Sequence, residues 1–180
     1  MNVPQADLMS MERITFQIEE AQWYYEDFIR PLDPSLPSLP LQPFITKIMG
    51  HCPFFSQYPE TYSVEVFKQF MEYKKRIPVR GAIMLNREMD SVVLVKGYKK
   101  NGNWSFPRGK TNLEEDPLAC AVREVYEETG FNLEAAGLVP KDRNVYSICH
   151  NIQAQQIQLF VFRDVPMDTH FEPRTRKEIS

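Results

Sequence analysis

The sequence predicts an α+β protein, with an all-helical first part and a second part in which short strands surround one well-defined helix. Two observations support this fold class. Apolar residues recur at helical spacing as far as residue 75, and after Ile77 and Pro78 they follow the shorter period of strands. The change of period predicts a domain boundary between a helical domain over residues 1–76 and a mixed domain over residues 77–180.

The composition is that of a folded protein. Hydrophobic residues make up 43% of the 180 residues and charged residues 25%, which excludes a disordered or low-complexity chain. No apolar run approaches the ~20 residues of a membrane span, so we expect a soluble protein that does not engage a membrane. The three cysteines share no CxxC spacing and indicate reduced thiols rather than a disulfide framework or a zinc site.

The first helix is predicted over residues 11–30, and Pro31 ends it. Its apolar stripe follows the i, i+4, i+7 spacing and consists of Ile14, Ile18, Ala21, Tyr25 and Phe28. Prolines then recur every third residue as far as Pro43, which favours a stiff, extended connector over a ligand for a proline-binding domain. Two more helices are predicted, over residues 44–49 and 63–75. The apolar face of the second consists of Val64, Phe67 and Met71.

Trp23 lies on the polar side of the first helix, about 180° from Ile14. A tryptophan among carboxylates is poorly placed for the core of its own domain. One interpretation is that Trp23 packs on another element or on a partner. The other is that Trp23 stacks on a flat, positively charged base while Asp27, one turn further on, accepts hydrogen bonds from the edge of that base.

The second part of the sequence contains the signals of five short strands and one helix. The helix is predicted over residues 117–129, because Asp116 is an N-cap residue before a proline and Gly130 occupies the position of a left-handed residue after the last turn. The strands are predicted over residues 81–85, 91–95, 104–106, 145–149 and 156–162.

The net charge of −3 conceals two oppositely charged segments. Residues 74–110 contain ten basic and two acidic side chains, and residues 111–134 contain one basic and seven acidic side chains. Such segments are commonly solvated surfaces. Their adjacency, with Arg108 and Lys110 beside the acidic segment, is also what a phosphate substrate and a divalent cation require.

Three glutamates, Glu124, Glu127 and Glu128, share one face of the predicted helix. Carboxylates at this spacing repel one another by a few tenths of a kcal/mol per exposed pair. A positive group is therefore expected among them, although three glutamates alone would also suit a solvated acidic face.

The surrounding residues distinguish these alternatives. The segment GKTNLEEDPLACAVREVYEETGF, which begins at Gly109, matches every fixed position of the pattern G, five residues, E, seven residues, R-E-U-x-E-E-x-G-U, where U is bulky and apolar. It resembles the Nudix signature. The resemblance implies an α/β/α sandwich and metal-assisted hydrolysis of a diphosphate, with Glu124, Glu127 and Glu128 as ligands and Gly109 allowing close approach of the backbone. Arg123 is expected to bind Glu115 and brace the loop.

Over residues 11–180 the chain resembles the family of catalytic subunits of the eukaryotic mRNA-decapping enzyme. The resemblance rests on the segments QWYYEDF, HCPFF, YKKRIPVRGAIML, GNWSFPRGK and FEPRTRKEIS, in this order. It implies that Trp23 and Asp27 bind the 7-methylguanosine of the cap and that Arg108 and Lys110 contact phosphates. It also implies that Glu178 joins the metal site, with either Glu178 or Glu128 as the general base.

The reaction implied by the resemblance uses Mg²⁺ or Mn²⁺ and releases 7-methylguanosine diphosphate and 5′-monophosphate RNA. Capped mRNA and an activator subunit that docks on the helical domain are the implied partners, although residues 1–10 lack the opening motif of the family. A cytoplasmic location, including P-bodies, is also implied. The family pattern continues past Ser180, so we expect an incomplete Nudix domain. Two alternatives are a hydrolase of small nucleoside polyphosphates and a non-catalytic form that binds capped RNA.

Overall fold

The computed structural model describes residue 3 and residues 8–59, 61–98, 101–175 and 178–179. The chain divides into two compact units, Met1–Lys75 and Arg76–Ser180. In the part of the chain described, no helix is both long enough and apolar enough to cross a membrane.

In its described residues, the first unit contains helices joined by short connectors and no strand. Helix α1 (Met11–Tyr24) continues as a π-helical segment (Tyr25–Ile29) and a 3₁₀ turn (Arg30–Leu32). Helix α2 spans Leu41–His51 and helix α3 spans Tyr62–Lys74. The first predicted helix is therefore confirmed in extent, but its last part is not α-helical.

The connector between α1 and α2 is fastened to the end of the first helical stretch. The backbone N–H of Leu39 donates to Glu26 at 2.7 Å, and the hydroxyl of Tyr25 donates to the carbonyl of Pro37 at 2.7 Å. The predicted extended conformation is limited to the residues just before α2, where Pro40 has φ −54° and ψ 157°. The prediction is wrong at both ends of the proline run. Pro31 lies in the 3₁₀ turn, Pro34 lies in a turn closed by the N–H of Leu36 on the carbonyl of Asp33, and Pro43 lies in the first turn of α2.

The core of the first unit forms where the three helices meet. Its buried side chains are Ile14, Ile18, Phe44, Ile45, Met49, Phe55 and Val66. Two of the apolar residues predicted for α1 are exposed, Ala21 and Phe28. Phe28 lies within the π-helical segment, whose wider turn changes the angle between successive side chains and rotates Phe28 away from the stripe that Ile14 begins.

The predicted apolar face of α3 is wrong at two of its three positions. Val64 and Met71 are exposed, whereas Ser63, Val66 and Phe70 are buried. The hydroxyl of Ser63 accepts a hydrogen bond from Thr46 of α2 at 3.0 Å. Ser63, Val66 and Phe70 are three and four residues apart, so they share one helical face, and this face packs inward.

The second unit contains a four-stranded mixed sheet in the order β4-β1-β6-β5. Strand β1 (Val79–Met84) is parallel to β6 (Gln155–Phe162) and antiparallel to β4 (Arg108–Lys110). Strand β5 (Ser147–Ile152) is antiparallel to β6. Two short strands, β2 (Val95–Lys96) and β3 (Trp104–Ser105), form a separate antiparallel pair. The second unit therefore combines strands with one helix, as the α+β prediction states, and its main sheet contains both parallel and antiparallel pairs.

Helix α4 (Pro117–Thr129) covers one face of this sheet. Its Leu118, Ala121 and Val125 share a buried core with Met84 and Phe160 from the strands. The predicted caps are confirmed, because Asp116 accepts a hydrogen bond from the backbone of Ala119 at 2.9 Å and Gly130 has a φ of 73°. In the described residues of this unit, α4 supplies the one helical layer of the expected sandwich.

One strand prediction needs correction, and one strand was missed. Residues 91–95 form an irregular segment with one bridge, between Leu85 and Val92, and strand β2 begins at Val95. Strand β4 was not predicted, because its Arg-Gly-Lys sequence has no strand pattern. It is a strand because it pairs with the edge of β1.

Candidate active site

The carboxylate face of α4 lies against strand β4. A Cβ atom added at Gly109 would overlap the carboxylate of Glu124. Only glycine, which has no Cβ, lets this strand pass so close to the helix. Gly109 therefore sets the distance between the acidic face and the β4 backbone.

Arg123 binds Glu115 in the way that the sequence predicts. Its Nε and Nη2 atoms donate to the two carboxylate oxygens of Glu115 at 2.8 and 2.9 Å, and Nη2 also donates to the carbonyl of Lys110 at 3.1 Å. The paired hydrogen bonds from Arg123 hold the pKa of Glu115 at about 2. The expected brace between helix and loop is confirmed.

The remaining nitrogen of Arg123 reaches the acidic face itself. Nη1 donates to Glu124 at 2.7 Å and to Glu127 at 3.1 Å. A positive group does lie among the carboxylates, as their mutual repulsion predicts. In this structure the positive group is Arg123. The sequence predicted only its bond to Glu115, whereas one guanidinium binds both Glu115 and the acidic face.

Two carboxyl groups of the face have pKa values near neutrality. Burial raises the pKa of Glu124 to about 7, although the Arg123 guanidinium opposes the shift. Burial also raises the pKa of Glu128 to about 7, against a 2.9 Å hydrogen bond from the backbone N–H of Arg108. These groups can therefore take up or release a proton near pH 7.

Glu178 lies beside this face despite its distance in sequence. Burial, and then the charge of Glu127, raise the pKa of the Glu178 carboxyl, so the two carboxylates are close enough to repel each other. The backbone N–H of Tyr98 donates to the carbonyl of Glu178 at 2.7 Å, and Ile179 forms a bridge with Gly97. Strand β2 and the turn after it thus hold Glu178 in place.

A second contact fastens the chain ahead of Glu178 to α4. The backbone N–H of Arg174 donates to the carbonyl of Glu127 at 2.8 Å. The guanidinium of Arg174 lies 4.5 Å from the centre of the Tyr126 ring, a cation–π contact. No feature of the sequence indicates this contact, because its partners are far apart along the chain.

The four carboxylates fit a divalent cation by their chemistry, since hard oxygen ligands suit Mg²⁺ and Mn²⁺. Within the described ranges, no three acidic, histidine or cysteine side chains are arranged as a formed metal site. Arg123 occupies one carboxylate oxygen of Glu124 and one of Glu127. A cation bound by these two side chains would compete with Arg123 for them.

Arg108 and Lys110 flank Gly109 on β4. Side chains alternate along a strand, so both leave β4 on the face opposite to the one that Gly109 presents to α4. The charge of Arg108 nevertheless acts on Glu128, whose pKa it partly lowers. The structure therefore brings the backbone N–H of Arg108 to Glu128, and the charge of Arg108 acts on the same carboxyl group. Lys110 contributes its carbonyl to Arg123.

Trp23 and Asp27 lie in the first unit. Trp23 is 51% exposed near the end of α1, as its position on the polar side predicts, and Asp27 is half-buried in the π-helical segment. Next to them, Tyr24 and Phe28 are exposed, with ring centres 5.1 Å apart. Single π-helical turns occur frequently at functional sites, and this one was not predictable from the residue pattern.

Both parts of the chain match known families. Residues 75–180 match the NUDIX domain, and residues 1–73 match the domain described as Dcp2, box A. The chain is 46% identical over 180 residues to mRNA decapping complex subunit 2 of Schizosaccharomyces pombe, covering 100% of this chain and 24% of that protein. It is 42% identical over 180 residues to mRNA-decapping enzyme subunit 2 of Arabidopsis thaliana, covering 100% of this chain and 46% of that protein.

A third relative is the m7GpppN-mRNA hydrolase of Saccharomyces cerevisiae, which is 40% identical over 179 residues, 99% of this chain and 18% of that protein. The chain thus spans less than half the length of these relatives. The NUDIX match covers more than half of the chain and includes both helix α4, with its three glutamates, and Glu178. The chain belongs to the NUDIX domain family, with a Dcp2 box A domain ahead of its NUDIX domain.

Proposed function

We propose that this protein hydrolyses the 7-methylguanosine cap of mRNA and releases 7-methylguanosine diphosphate and 5′-monophosphate RNA. The observation that carries the proposal is the approach of Glu178 to the acidic face of α4, which gathers four carboxylates beside the basic strand β4. The names of the relatives from Schizosaccharomyces pombe and Saccharomyces cerevisiae support cap hydrolysis as the reaction.

Glu124, Glu127, Glu128 and Glu178, with the backbone at Gly109, would hold Mg²⁺ or Mn²⁺. When bound, the cation neutralises phosphate oxygens and makes water more acidic. Arg123 would keep the helix and the loop at Glu115 together while its Nη1 releases the acidic face. The paired hydrogen bonds to Glu115 make this possible, since they hold the guanidinium independently of Nη1.

A general base must accept the proton of the attacking water. Glu128 and Glu178 are the candidates, because burial raises the pKa of both carboxyl groups. A base whose pKa lies near the working pH is the most effective.

Arg108 and Lys110 are assigned to the phosphates of the substrate. Arg108 is well placed to bind a phosphate, because it is exposed and its charge already acts on Glu128. Trp23 and Asp27 are assigned to the 7-methylguanine base. The exposed indole can stack on the methylated, positively charged ring, and the carboxylate can accept hydrogen bonds from the base edge.

The proposal extends to partners and location. A helical domain that matches Dcp2 box A is the expected docking site for an activator subunit. A substrate of capped mRNA implies a cytoplasmic protein that also enters P-bodies.

The decisive experiment is the hydrolysis of capped RNA in Mg²⁺ or Mn²⁺. Glu128→Gln and Glu178→Gln should each lower kcat, and loss of the general base should do so by about 10²-fold to 10⁴-fold. Glu134→Gln, which removes an exposed carboxylate outside the cluster, is the matched control. Release of 7-methylguanosine diphosphate that persists in Glu128→Gln at the unmodified rate would disprove the assigned metal site.

The cap assignment is tested with methylated and unmethylated caps. Trp23→Leu should raise KM for methylated capped RNA by about 5-fold to 100-fold, while Trp23→Phe, which keeps an aromatic ring, should stay close to the unmodified protein. A small-nucleotide hydrolase would instead hydrolyse free nucleoside polyphosphates as fast as capped RNA. In that case Trp23→Leu would have no effect on either rate. Binding without turnover would identify a non-catalytic form.

A further inference from the structure

The second unit carries an exposed tryptophan that the proposed reaction does not use. Trp104 lies on the two-residue strand β3 and is 64% exposed. Its neighbour in sequence, Ser105, is half-buried and pairs with the buried Val95 of β2. The inward side of the hairpin is thus built without Trp104, and the indole adds little to the core.

The cross-strand partner of Trp104 is a lysine. Lys96 pairs with Trp104 across the β2–β3 ladder, and its ammonium lies 6.0 Å from the centre of the indole ring. This places a positive charge beside a flat, exposed aromatic surface. Single-stranded nucleic acids bind to such pairs, because a base stacks on the ring while the adjacent phosphate is attracted to the charge.

The hairpin is connected to the acidic cluster at two points. The N–H of Tyr98, two residues after Lys96, donates to the carbonyl of Glu178 at 2.7 Å. Four residues after Trp104, the N–H of Arg108 donates to Glu128 at 2.9 Å. Four residues span at most about 14 Å, so a short stretch of RNA leading away from the cluster can reach the indole.

The charge of the hairpin segment favours RNA over a protein partner. Residues 95–110 contain five basic side chains and no acidic one, and this segment includes both strands of the hairpin. A docking site for an apolar peptide would need an apolar groove, and β2–β3 presents a single ring beside a lysine. We propose that Trp104 and Lys96 form a stacking site for a nucleotide of the RNA body downstream of the cap.

This inference rests on the proposed substrate being RNA, but its test does not depend on cap hydrolysis. The chain has two tryptophans, Trp23 and Trp104, one in each unit. In Trp23→Phe, fluorescence reports on Trp104 alone, and in Trp104→Phe it reports on Trp23 alone. Uncapped 5′-monophosphate RNA of about 4 to 16 nucleotides, the range of single-strand site sizes, should quench Trp104 and leave Trp23 unchanged. 7-Methylguanosine diphosphate should instead quench Trp23 and leave Trp104 unchanged.

Substitutions test the site by affinity. Trp104→Leu should weaken RNA binding by about 5-fold to 150-fold, the loss of one stacked base, and Trp104→Phe should restore most of it. Lys96→Gln should lower the slope of log affinity against log salt by about one. Tyr146→Leu, which removes an exposed aromatic ring of the same unit outside the basic segment, is the control and should leave the affinity unchanged.

The possible failures are distinguishable. If RNA leaves Trp104 fluorescence unchanged, or if Trp104→Leu binds RNA as tightly as the unmodified chain, the stacking site is wrong even when caps are hydrolysed. If RNA quenches Trp104 but capped RNA is not hydrolysed, the stacking site stands and the proposed reaction fails. Because the quenching experiment uses unmodified Trp104, it remains decisive even if Trp104→Leu does not fold.

Discussion

The guanidinium of Arg123 donates to both carboxylate oxygens of Glu115, at 2.8 and 2.9 Å, and so ties helix α4 to the loop before it. The same side chain uses its third nitrogen on Glu124 and Glu127. One residue thus braces the fold and neutralises part of the acidic cluster. These two duties are separable, because they use different nitrogens.

The brace should be visible in the pH dependence of stability. The pKa of Glu115 is about 2 instead of its ordinary 4.5, so the bond stabilises the fold fully above pH 4.5 and loses this effect as the pH falls towards 2. Glu115→Gln should cost on the order of 2–3 kcal/mol near neutral pH. The difference from the unmodified chain, measured by urea unfolding, should shrink between about pH 4.5 and pH 2. A constant difference over this range would contradict the role of Glu115.

Cation binding should become tighter as the pH rises through about 7. Glu124 and Glu128 retain protons up to about that pH, and these protons must leave before the carboxylates can bind a cation. Calorimetry of Mn²⁺ binding in two buffers should therefore detect proton release at about pH 6 and little at about pH 8. Mn²⁺ binding should release fewer protons from Glu124→Gln than from the unmodified chain. It should release the same number from Glu134→Gln. Affinity independent of pH would contradict the two raised pKa values.

The same two groups destabilise the second unit at high pH when no cation is present. The pKa of each group is about 7 in the folded chain and 4.5 in the unfolded chain, so the folded chain holds these protons more tightly. The resulting stabilisation is complete below pH 4.5 and is lost as the pH rises through about 7. Thermal unfolding without metal should show a falling midpoint over that range, and Mn²⁺ should reverse the fall. A midpoint that Mn²⁺ leaves unchanged at about pH 8 would count against a cation site in the cluster.

Gly109→Ala should impair the cluster, because the new methyl group overlaps the carboxylate of Glu124. Either strand β4 or Glu124 must move, and we expect Mn²⁺ affinity to fall by at least about tenfold. Gly50→Ala is the matched control. No atom lies within 4 Å of a Cβ at Gly50, in helix α2, so this change should stabilise the first unit by about 0.5–1 kcal/mol. Unchanged Mn²⁺ affinity in Gly109→Ala would show that the close approach is not required.

The first unit contains a buried and an exposed ion pair for direct comparison. Lys74 donates to both oxygens of Glu19 at 2.7 Å, with side chains that are 19% and 8% exposed. Lys74→Met should cost about 3–5 kcal/mol, because Glu19 is left buried without its partner. Lys75→Met breaks the pair with Glu72, whose side chains are 61% and 56% exposed, and should cost less than about 1 kcal/mol.

The measurement is urea unfolding of the first unit, followed through Trp23 in a Trp104→Phe background. The double variant Glu19→Leu with Lys74→Met should regain most of the lost stability, since both charges are removed. If Lys74→Met and Lys75→Met lower the free energy of unfolding equally, burial does not decide the contribution of these ion pairs.

Local signals were sufficient for helix α4 and its acidic face. Asp116 and Gly130 mark the two ends of the helix, and the helical period alone places Glu124, Glu127 and Glu128 together. The partnership of Arg123 with Glu115 was also predictable, because both residues belong to one short motif. These features depend on interactions between residues that are near one another in the chain.

Features that depend on contacts between distant segments were not predictable in this way. Strand β4 exists because β1 offers it a pairing edge. Val64 and Met71 are exposed because the face of α3 that packs inward is the one that contains Ser63, which is hydrogen-bonded to Thr46 of α2. The π-helical segment at Tyr25–Ile29 likewise has no signature in the residue pattern.

The amino-acid sequence by itself determined the fold class, the Nudix helix with its three carboxylates, and the exposed position of Trp23. Helical periodicity and capping depend on neighbours within a few residues, so these properties can be read from the order of residues. Only the tertiary structure decided that Arg123 enters the acidic face and that Trp104 and Lys96 form a pair tied to Glu178. Each of these depends on long-range packing and backbone pairing, which bring together residues that no local pattern connects.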